Sequence, residues 1–269
     1  MTDTTTSKGS TGRRRALVTG ASAGIGLAFA ERLASDGFDL IVVARSRDRL
    51  DALAERLAQQ HGVRVEVLPA DLTDSLERGL VEDVIADNVL DLLVNNAGFG
   101  TMGRFAESDV DEEEKEVMLN VVALSRLTRA ALPGMIERGR GGIINVSSLA
   151  AFQATPYNAT YAATKAFVNS FTEAVFEELR DSPVVLQALC PGFTRTEFQD
   201  RAGIDVSRIP DMAWMEPAAV VDASLAALGR RELICIPGFS NRALAAFTST
   251  LPRSWARRVA GVIGRRLLD

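Results

Sequence analysis

Short runs of β-branched and aliphatic residues alternate along this chain with longer segments of helical periodicity. This alternation predicts repeated βαβ units, with parallel strands in one sheet and helices on its faces. The predicted strands are Ala16–Thr19, Leu40–Ala44, Arg64–Leu68, Leu92–Asn95, Gly142–Val146, Val184–Leu189 and Leu233–Ile236. The predicted helices include Ile25–Ser35, Asp48–Gln60, Glu112–Arg138, Tyr161–Arg180 and Pro217–Gly229. We therefore expect an α/β fold with one main domain, which is common for chains of 269 residues.

Composition excludes several classes of protein. A formal net charge of −5 argues against a general affinity for nucleic-acid phosphates, so no nucleic-acid partner is expected. Cys190 and Cys235 lie in apolar runs, as buried free thiols do, and no ligand spacing suggests a metal site. No apolar stretch approaches the ~18 residues of a membrane-spanning helix. The expected location is the cytoplasm.

A glycine-rich turn joins the first predicted strand to the first predicted helix. The stretch "ALVTGASAGIG" places Gly20, Gly24 and Gly26 at this junction. Glycines there allow the backbone to turn tightly and to approach a pyrophosphate, which then meets free N–H groups of the helix N-terminus. The sequence therefore predicts a dinucleotide site. Its loop residues are Gly20, Ser22, Ala23, Gly24, Ile25 and Gly26.

The end of the second strand bears on the choice of dinucleotide. Asp39 precedes this strand, whereas ligands of such sheets bind at the carboxyl ends of the strands. The residue at the carboxyl end is Arg45, whose guanidinium suits a 2′-phosphate, so we predict NADP(H) as the cofactor. The alternative is that Arg45 and Arg47 form a solvated basic corner.

One of only two tyrosines in the chain lies four residues before a lysine. On a helix, Tyr161 and Lys165 share a face with Cβ atoms about 5–6 Å apart. A phenol has a pKa of about 10, and a nearby ammonium favours the phenolate. We therefore predict that Lys165 makes Tyr161 a usable acid and base. Tyr157 lies two turns from Lys165 and is assigned to the pocket wall or to the surface.

Two serines end the fifth predicted strand, at the edge where the cofactor is expected. Reduction of a carbonyl by hydride develops negative charge on oxygen, which needs a proton donor and a second hydrogen bond. Ser148 is predicted to provide that second hydrogen bond. For Ser147 we favour a capping or supporting role, and capping of the next turn is also the alternative for Ser148.

Together these motifs resemble the short-chain dehydrogenase/reductase family over the span from Arg14 to about Pro237. The resemblance rests on "TGASAGIG", "DL", "NNAG", Asn120, the serine before "YAATK" and "PGFTRT", in this order. It implies a Rossmann-like, doubly wound sheet of seven parallel strands with helices on both faces, in a single domain. It also implies a homodimer or homotetramer associated through the helices predicted at Glu112–Arg138 and Tyr161–Arg180.

The resemblance also assigns roles to individual residues. The implied catalytic set comprises Asn120, Ser148, Tyr161 and Lys165. Tyr161 would be the general acid and base. Lys165 would lower its pKa and bind the nicotinamide ribose, and Asn120 would hold a water or shape a kink in its long helix. The further implied cofactor contacts are Asp71, Leu72, Asn96, Ala97, Gly98, Pro191, Gly192, Thr194 and Thr196.

The predicted function is NADP(H)-dependent reduction of a carbonyl to a secondary alcohol. The alternative is a non-catalytic NADP(H)-binding sensor or scaffold. Residues 193–215 form the expected substrate loop, whose apolar residues either line a pocket for a lipophilic ketone or 3-oxoacyl substrate or form a small satellite core. These residues are Phe193, Phe198, Ile204, Ile209, Met212, Trp214 and Met215. Arg195 and Arg201 are the cations available to an acyl-carrier group.

The two ends of the chain differ in character from the expected catalytic domain, residues 14–239. Residues 1–13 are predicted to be a disordered polar tail. Residues 240–269 form a basic extension with six arginines and one acid, Asp269. Its apolar residues, from Trp255 to Ile263, fall on one helical face. This amphipathic helix either rests on an anionic membrane surface, making the enzyme peripheral to the membrane, or packs on protein with its arginines in water.

Overall fold

Parallel strands of one sheet organise the fold of this computed structural model, which describes residues 12–198 and 210–250, the last three by their backbone alone. Within these ranges the sheet has seven strands, and each predicted strand is confirmed to within two residues. They are β1 (Arg15–Thr19), β2 (Asp39–Ala44), β3 (Val65–Pro69), β4 (Leu92–Asn95), β5 (Gly142–Val146), β6 (Val185–Leu189) and β7 (Ile234–Cys235).

The strand order is β3-β2-β1-β4-β5-β6-β7, and all pairs are parallel. Strand β1 therefore lies between β2 and β4, with Ala16 in register with Leu40 on one side and Leu92 on the other. The chain leaves β1 toward one half of the sheet and later returns to build the other half. A crevice opens at the carboxyl ends of the strands at such a reversal, and ligands bind there in open α/β sheets.

Helices cover both faces of the sheet, as expected for a doubly wound fold in a single domain. The α-helices of the described residues are α1 (Gly24–Ser35), α2 (Arg47–His61), α3 (Ser75–Asp87), α4 (Val110–Val117), α5 (Leu124–Glu137), α6 (Ala159–Glu178), α7 (Pro217–Gly229) and α8 (Phe239–Thr250). Successive strand residues point to opposite faces, so Ala16 and Val18 belong to the core under α1, whereas Leu17 belongs to the core under α5. Burial on both faces explains the continuous apolar runs of the strands.

Two helical regions differ from the prediction. The helix expected at Glu112–Arg138 consists of α4 and α5 joined by a π-helical turn, Met118–Ala123. Helix α3 was not among the predicted helices, and its N-cap, Asp74, accepts hydrogen bonds from the N–H groups of Leu76 and Glu77. Within the described ranges, no helix combines the length and the apolarity needed to cross a bilayer.

Several predictions fall on parts of the chain outside the described residues. These are most of the polar tail, Arg201, Ile204 and Ile209 of the expected substrate loop, and the extension beyond residue 250 with its apolar face from Trp255 to Ile263. The described part of that extension belongs to α8, which begins at Phe239.

Candidate active site

The glycine turn between β1 and α1 is closely packed against its surroundings. Gly20 and Gly24 have φ angles of +66° and +57°, which favour glycine. A Cβ atom on Gly26 would lie 2.3 Å from the Gly20 carbonyl oxygen and 2.4 Å from Asn96 Nδ2. At the N-cap of α1, Ala23 has no polar side chain, so the first N–H groups of the helix keep their capacity to bind an anion. This cradle fits a pyrophosphate.

The segment after β4 holds the glycine turn in place. Asn96 Nδ2 donates to the carbonyl oxygen of Thr19 at 2.9 Å. Thr19 Oγ1 accepts the backbone N–H groups of Asn96 and Ala97, at 2.9 and 3.0 Å, and donates to the Val94 carbonyl. The structure thus brings the predicted contacts Asn96 and Ala97 beside the cradle. It adds Thr19, which sequence reasoning missed because a strand-end threonine carries no distinctive signal.

The segment after β6 reaches the same cradle from the other side. The Thr196 side chain lies against Gly24, where an added Cβ would come within 3.0 Å of the Thr196 methyl carbon. The Leu149 N–H donates to the Pro191 carbonyl at 3.0 Å, and Thr194 Oγ1 donates to the Gly192 carbonyl at 3.1 Å. The stretch from Pro191 to Thr196 therefore lies along the carboxyl edge of the sheet, next to the predicted dinucleotide site.

The residues predicted for the adenosine end follow β2 and β3. Arg45 is exposed directly after β2, at the ligand-binding edge. Asp71 forms a local turn by accepting Thr73 N–H and Oγ1–H, and Leu72 is buried. Asp39 lies at the opposite edge of the sheet, where its Oδ1 accepts the Arg64 N–H at 2.9 Å. Asp39 is thus remote from the crevice.

The predicted reacting groups meet at this edge. Tyr161 and Lys165 share one face of α6, with Lys165 Nζ 5.6 Å from the centroid of the Tyr161 ring. Ser148, two residues after β5, faces the Tyr161 hydroxyl closely enough to lower the pKa of this phenol. Lys165 is 5% exposed, and its Nζ donates to the Val146 carbonyl at 2.8 Å. A phenol, a hydroxyl and an ammonium are therefore assembled beside the cradle.

The pKa of Tyr161 differs from the expectation. Burial raises it to about 12, and the hydrogen bond from Ser148 offsets this only in part. Burial also lowers the pKa of Lys165 to about 8, against the opposing charge of Glu116. The prediction that Lys165 brings the phenol pKa down is wrong for this geometry, because burial of the phenol dominates and the ammonium bonds a backbone carbonyl instead.

The two serines have different partners. Ser147 Oγ donates to the Lys165 carbonyl at 3.0 Å, so this serine ties β5 to α6. Ser148 Oγ accepts the Ala150 N–H at 3.1 Å, and the same hydroxyl lowers the pKa of the nearby Tyr161 phenol. Capping of the next turn is thus observed for Ser148, and its catalytic role stays a prediction.

Asn120 lies in the π-helical turn and connects three segments. Its Nδ2 donates to the Phe99 carbonyl at 2.8 Å and to Thr164 Oγ1 at 3.1 Å, and its Oδ1 accepts the Phe99 N–H at 3.2 Å. A Cβ atom on Gly98 would lie 2.8 Å from Asn120 Oδ1 and 3.5 Å from Lys165 Nζ. Asn120 thus fixes the loop after β4 against α6, and π-helical turns are frequent at functional sites.

Aromatic residues of the expected substrate loop lie close to Tyr161. The ring of Phe198 packs on that of Tyr161 with centroids 5.5 Å apart, and Phe193 packs on Trp214 at 5.6 Å. Met212 is 90% exposed and contributes to neither pair. Arg195 forms ion pairs with Asp211 and Glu216, at 3.0 and 3.3 Å, so its charge is already partnered.

A buried carboxylate near the reacting groups was not predicted. Glu116 is fully buried, and its Oε2 accepts the Thr101 N–H at 2.9 Å and lies 2.7 Å from Thr101 Oγ1. The burial of Glu116 was not predictable from the local sequence, because the run "DEEEKE" is typical of a solvated helix face. Its position four residues before Asn120 was the available signal, since residues at that spacing share a helix face.

The strand order, the glycine cradle at the point of strand reversal and the tyrosine–lysine pair at the same edge define a dinucleotide-binding oxidoreductase with a Rossmann-like fold. The chain belongs to the short-chain dehydrogenase/reductase family, since the family model described as short chain dehydrogenase matches residues 14–206. The resemblance seen in the sequence motifs is thereby confirmed.

Similar proteins include enzymes with large substrates. A very-long-chain 3-oxoacyl-CoA reductase of Anas platyrhynchos is 34% identical over 68% of this chain and 60% of the relative. A short-chain dehydrogenase from Sphingobium yanoikuyae, solved in complex with NADPH, is 38% identical with a TM-score of 0.80, over 89% of this chain and 97% of that chain. The bulky-bulky ketone specific alcohol dehydrogenase from Comamonas testosteroni is 32% identical with a TM-score of 0.76, over 89% and 95%. This chain spans less than two thirds of the length of the first curated relatives.

Proposed function

We propose that this protein reduces a lipophilic ketone or 3-oxoacyl substrate to a secondary alcohol with NADP(H), using Tyr161 as the general acid and base. The observation that carries the proposal is the convergence of Ser148, Tyr161 and Lys165 at the edge that holds the glycine cradle, where Ser148 lowers the pKa of the Tyr161 phenol and Lys165 Nζ lies 5.6 Å from its ring centroid. A purely binding protein has no use for a phenol and a hydroxyl converging on one point.

The cofactor would be held by the glycine cradle, by Arg45 at the 2′-phosphate and by the segment from Pro191 to Thr196. When bound, NADPH supplies the hydride. Ser148 and Tyr161 bind the substrate oxygen, and Tyr161 donates a proton to it as negative charge develops. The raised pKa of Tyr161 suits this direction, because the phenol keeps its proton at neutral pH. In alcohol oxidation the phenolate takes the proton back.

The preference for a lipophilic substrate rests on the aromatic side chains near Tyr161 and on the relatives. The Phe198 ring packs at a tilt against the Tyr161 ring, and the ion pairs of Arg195 leave this cation poorly suited to a charged substrate group. The relatives named for long-chain 3-oxoacyl-CoA and for bulky ketones point the same way. The proposal is tested by following NADPH oxidation with a panel of aryl ketones, steroid ketones, 3-oxoacyl thioesters and sugars. Activity confined to sugars or polyols would contradict it.

Arg45→Ala is expected to raise the KM for NADPH about 10- to 100-fold and to leave that for NADH nearly unchanged. Hydrogen bonds to a charged group contribute about 1.5–3 kcal/mol each, and NADH lacks the phosphate that the guanidinium would bind. Steady-state kinetics with both cofactors give the ratio of the KM values for NADPH and NADH. Arg47→Ala is the matched control, since this exposed arginine begins α2. An unchanged NADPH/NADH ratio in Arg45→Ala removes the role assigned to Arg45.

The remaining expectations stay predictions. These are the homodimer or homotetramer, the cytoplasmic location and the contact of residues 240–269 with a membrane. Co-sedimentation of the full-length protein with anionic liposomes, compared with a version ending at Ser240, tests the membrane contact.

A further inference from the structure

Glu116 is a buried carboxylate with an incomplete set of partners. Its side chain extends from α4 and is fully buried against the loop after β4, where Oε2 accepts the Thr101 N–H at 2.9 Å and lies 2.7 Å from Thr101 Oγ1. Among the described residues, no hydrogen-bonding group reaches Oε1. Buried carboxylates are rare unless they are paired, and an unpaired buried charge is costly. This residue therefore calls for a functional explanation.

A second carboxylate reaches the same threonine. Glu113, one helical turn earlier and half-buried, places its Oε1 3.0 Å from Thr101 Oγ1. A hydroxyl group has one proton to donate and otherwise accepts. With two carboxyl groups at hydrogen-bonding distance, the hydroxyl donates to one and accepts from the other, and the other must carry a proton. The geometry therefore points to one proton shared by Glu113 and Glu116 through Thr101.

The charged groups around this pair belong to the candidate active site. From α6, Lys165 and Tyr161 both interact with the charge of Glu116, whereas burial raises the pKa of the Cys190 thiol, directly after β6, to about 12 and keeps this group uncharged. Burial raises the pKa of Glu116 to about 7; the bonds from Thr101 lower it, Glu113 raises it and Lys165 lowers it. The same loop contacts the reacting groups directly, since a Cβ on Gly100 would lie 2.8 Å from the Tyr161 ring.

We propose that Glu113, Thr101 and Glu116 form a one-proton carboxyl pair whose ionisation sets the pH at which Tyr161 changes charge. Glu116 is then a positioning residue for the ketone reduction proposed above, and this role rests on that proposed function. When the pair ionises, it releases its proton to solvent, and the added negative charge behind α6 disfavours the phenolate. Tyr161 consequently remains a proton donor for reduction at pH values above neutrality.

Glu116→Gln is expected to move the pH midpoint of kcat/KM for alcohol oxidation about one unit lower, because oxidation needs the phenolate and removal of a negative charge favours it. The pH profile measures this shift. Glu114→Gln makes the same change on an exposed position of α4 and should leave the midpoint in place. Thr101→Ser retains the shared hydroxyl and the wild-type profile, whereas Thr101→Val moves the midpoint. An unmoved midpoint in Glu116→Gln overturns the proposal.

A second readout does not depend on turnover. Because the pKa of folded Glu116 lies above its ordinary 4.5, the folded state binds the proton more tightly, and stability falls as pH rises from about 4.5 through about 7. Urea unfolding midpoints of the wild type should fall over this window, and those of Glu116→Gln should fall less. If Glu116→Gln does not fold, Glu113→Gln is used in the same experiment. The decrease of its urea unfolding midpoint should then occur at lower pH than in the wild type. Equal pH dependence in wild type and variant disproves the shared proton, whether or not the protein reduces ketones.

Discussion

Tyr161→Phe is expected to lower kcat/KM for ketone reduction by about 10²- to 10⁴-fold, the usual contribution of a positioned proton donor. The substitution removes the hydroxyl that faces Ser148 and keeps the ring that packs on Phe198. Without this hydroxyl, the substrate oxygen retains one hydrogen bond from Ser148 and receives no proton from the protein. The rate is measured by NADPH oxidation with the best ketone of the substrate panel.

Tyr157→Phe is the matched control, because Tyr157 is the only other tyrosine of the chain. Tyr157 has a φ of +68°, and its backbone carbonyl accepts the Gly103 N–H. Both features belong to the backbone and do not depend on the phenol hydroxyl. The kcat/KM of Tyr157→Phe for ketone reduction should stay near that of the wild type. Fluorescence titration with NADPH should give similar affinities for wild type and Tyr161→Phe. A Tyr161→Phe variant with full turnover would refute the catalytic role, and a wild type that binds NADPH but reduces no carbonyl would favour the sensor alternative.

The sheet was predictable because its strands are buried on both faces. Burial on two faces produces continuous apolar runs bounded by turns, and seven such runs in the sequence coincide with the seven strands of the described residues. Helix α3 was harder to find. It buries Val81 and Ile85 but also Arg78, and it exposes Leu76 and Leu80, so its apolar residues mark the packed face only in part. A periodicity argument fails where side chains contradict their usual environment.

The features of the candidate site also fall into two groups, those with a local sequence signal and those that depend on tertiary packing. The glycine turn and the tyrosine–lysine pair are local spacings, which the sequence displays directly. Glu116 and Thr101 are 15 residues apart, and only the folded loop after β4 brings them together. The direction of the Tyr161 pKa also depends on tertiary packing, because burial of the phenol outweighs what a nearby ammonium contributes. Local chemistry was therefore predictable, whereas the electrostatics of the buried groups was not.

Gly26→Ala is expected to destabilise the fold by about 1–3 kcal/mol, the usual cost of inserting a methyl group into a packed site. The new Cβ would lie 2.3 Å from the Gly20 carbonyl oxygen, and real Cβ atoms do not approach backbone so closely. Relief requires the turn to move away from α1, and such a movement strains the bond from Asn96 to the Thr19 carbonyl. Because the same turn forms the proposed pyrophosphate cradle, NADPH affinity should fall as well. Urea unfolding and fluorescence titration measure the two losses.

Gly79→Ala provides the control that separates this clash from the general effect of replacing a helical glycine. Gly79 lies within α3, and an added Cβ there meets no atom within 4 Å. Alanine is favoured over glycine in a helix by about 0.5–1 kcal/mol, so this variant should be slightly more stable than the wild type. If the free energy of unfolding decreases in Gly26→Ala and increases in Gly79→Ala, the loss of stability at Gly26 is due to the close approach of α1 and the turn. A Gly26→Ala protein with wild-type stability and NADPH affinity would mean that the turn tolerates a side chain, and the cradle geometry described above would then be wrong.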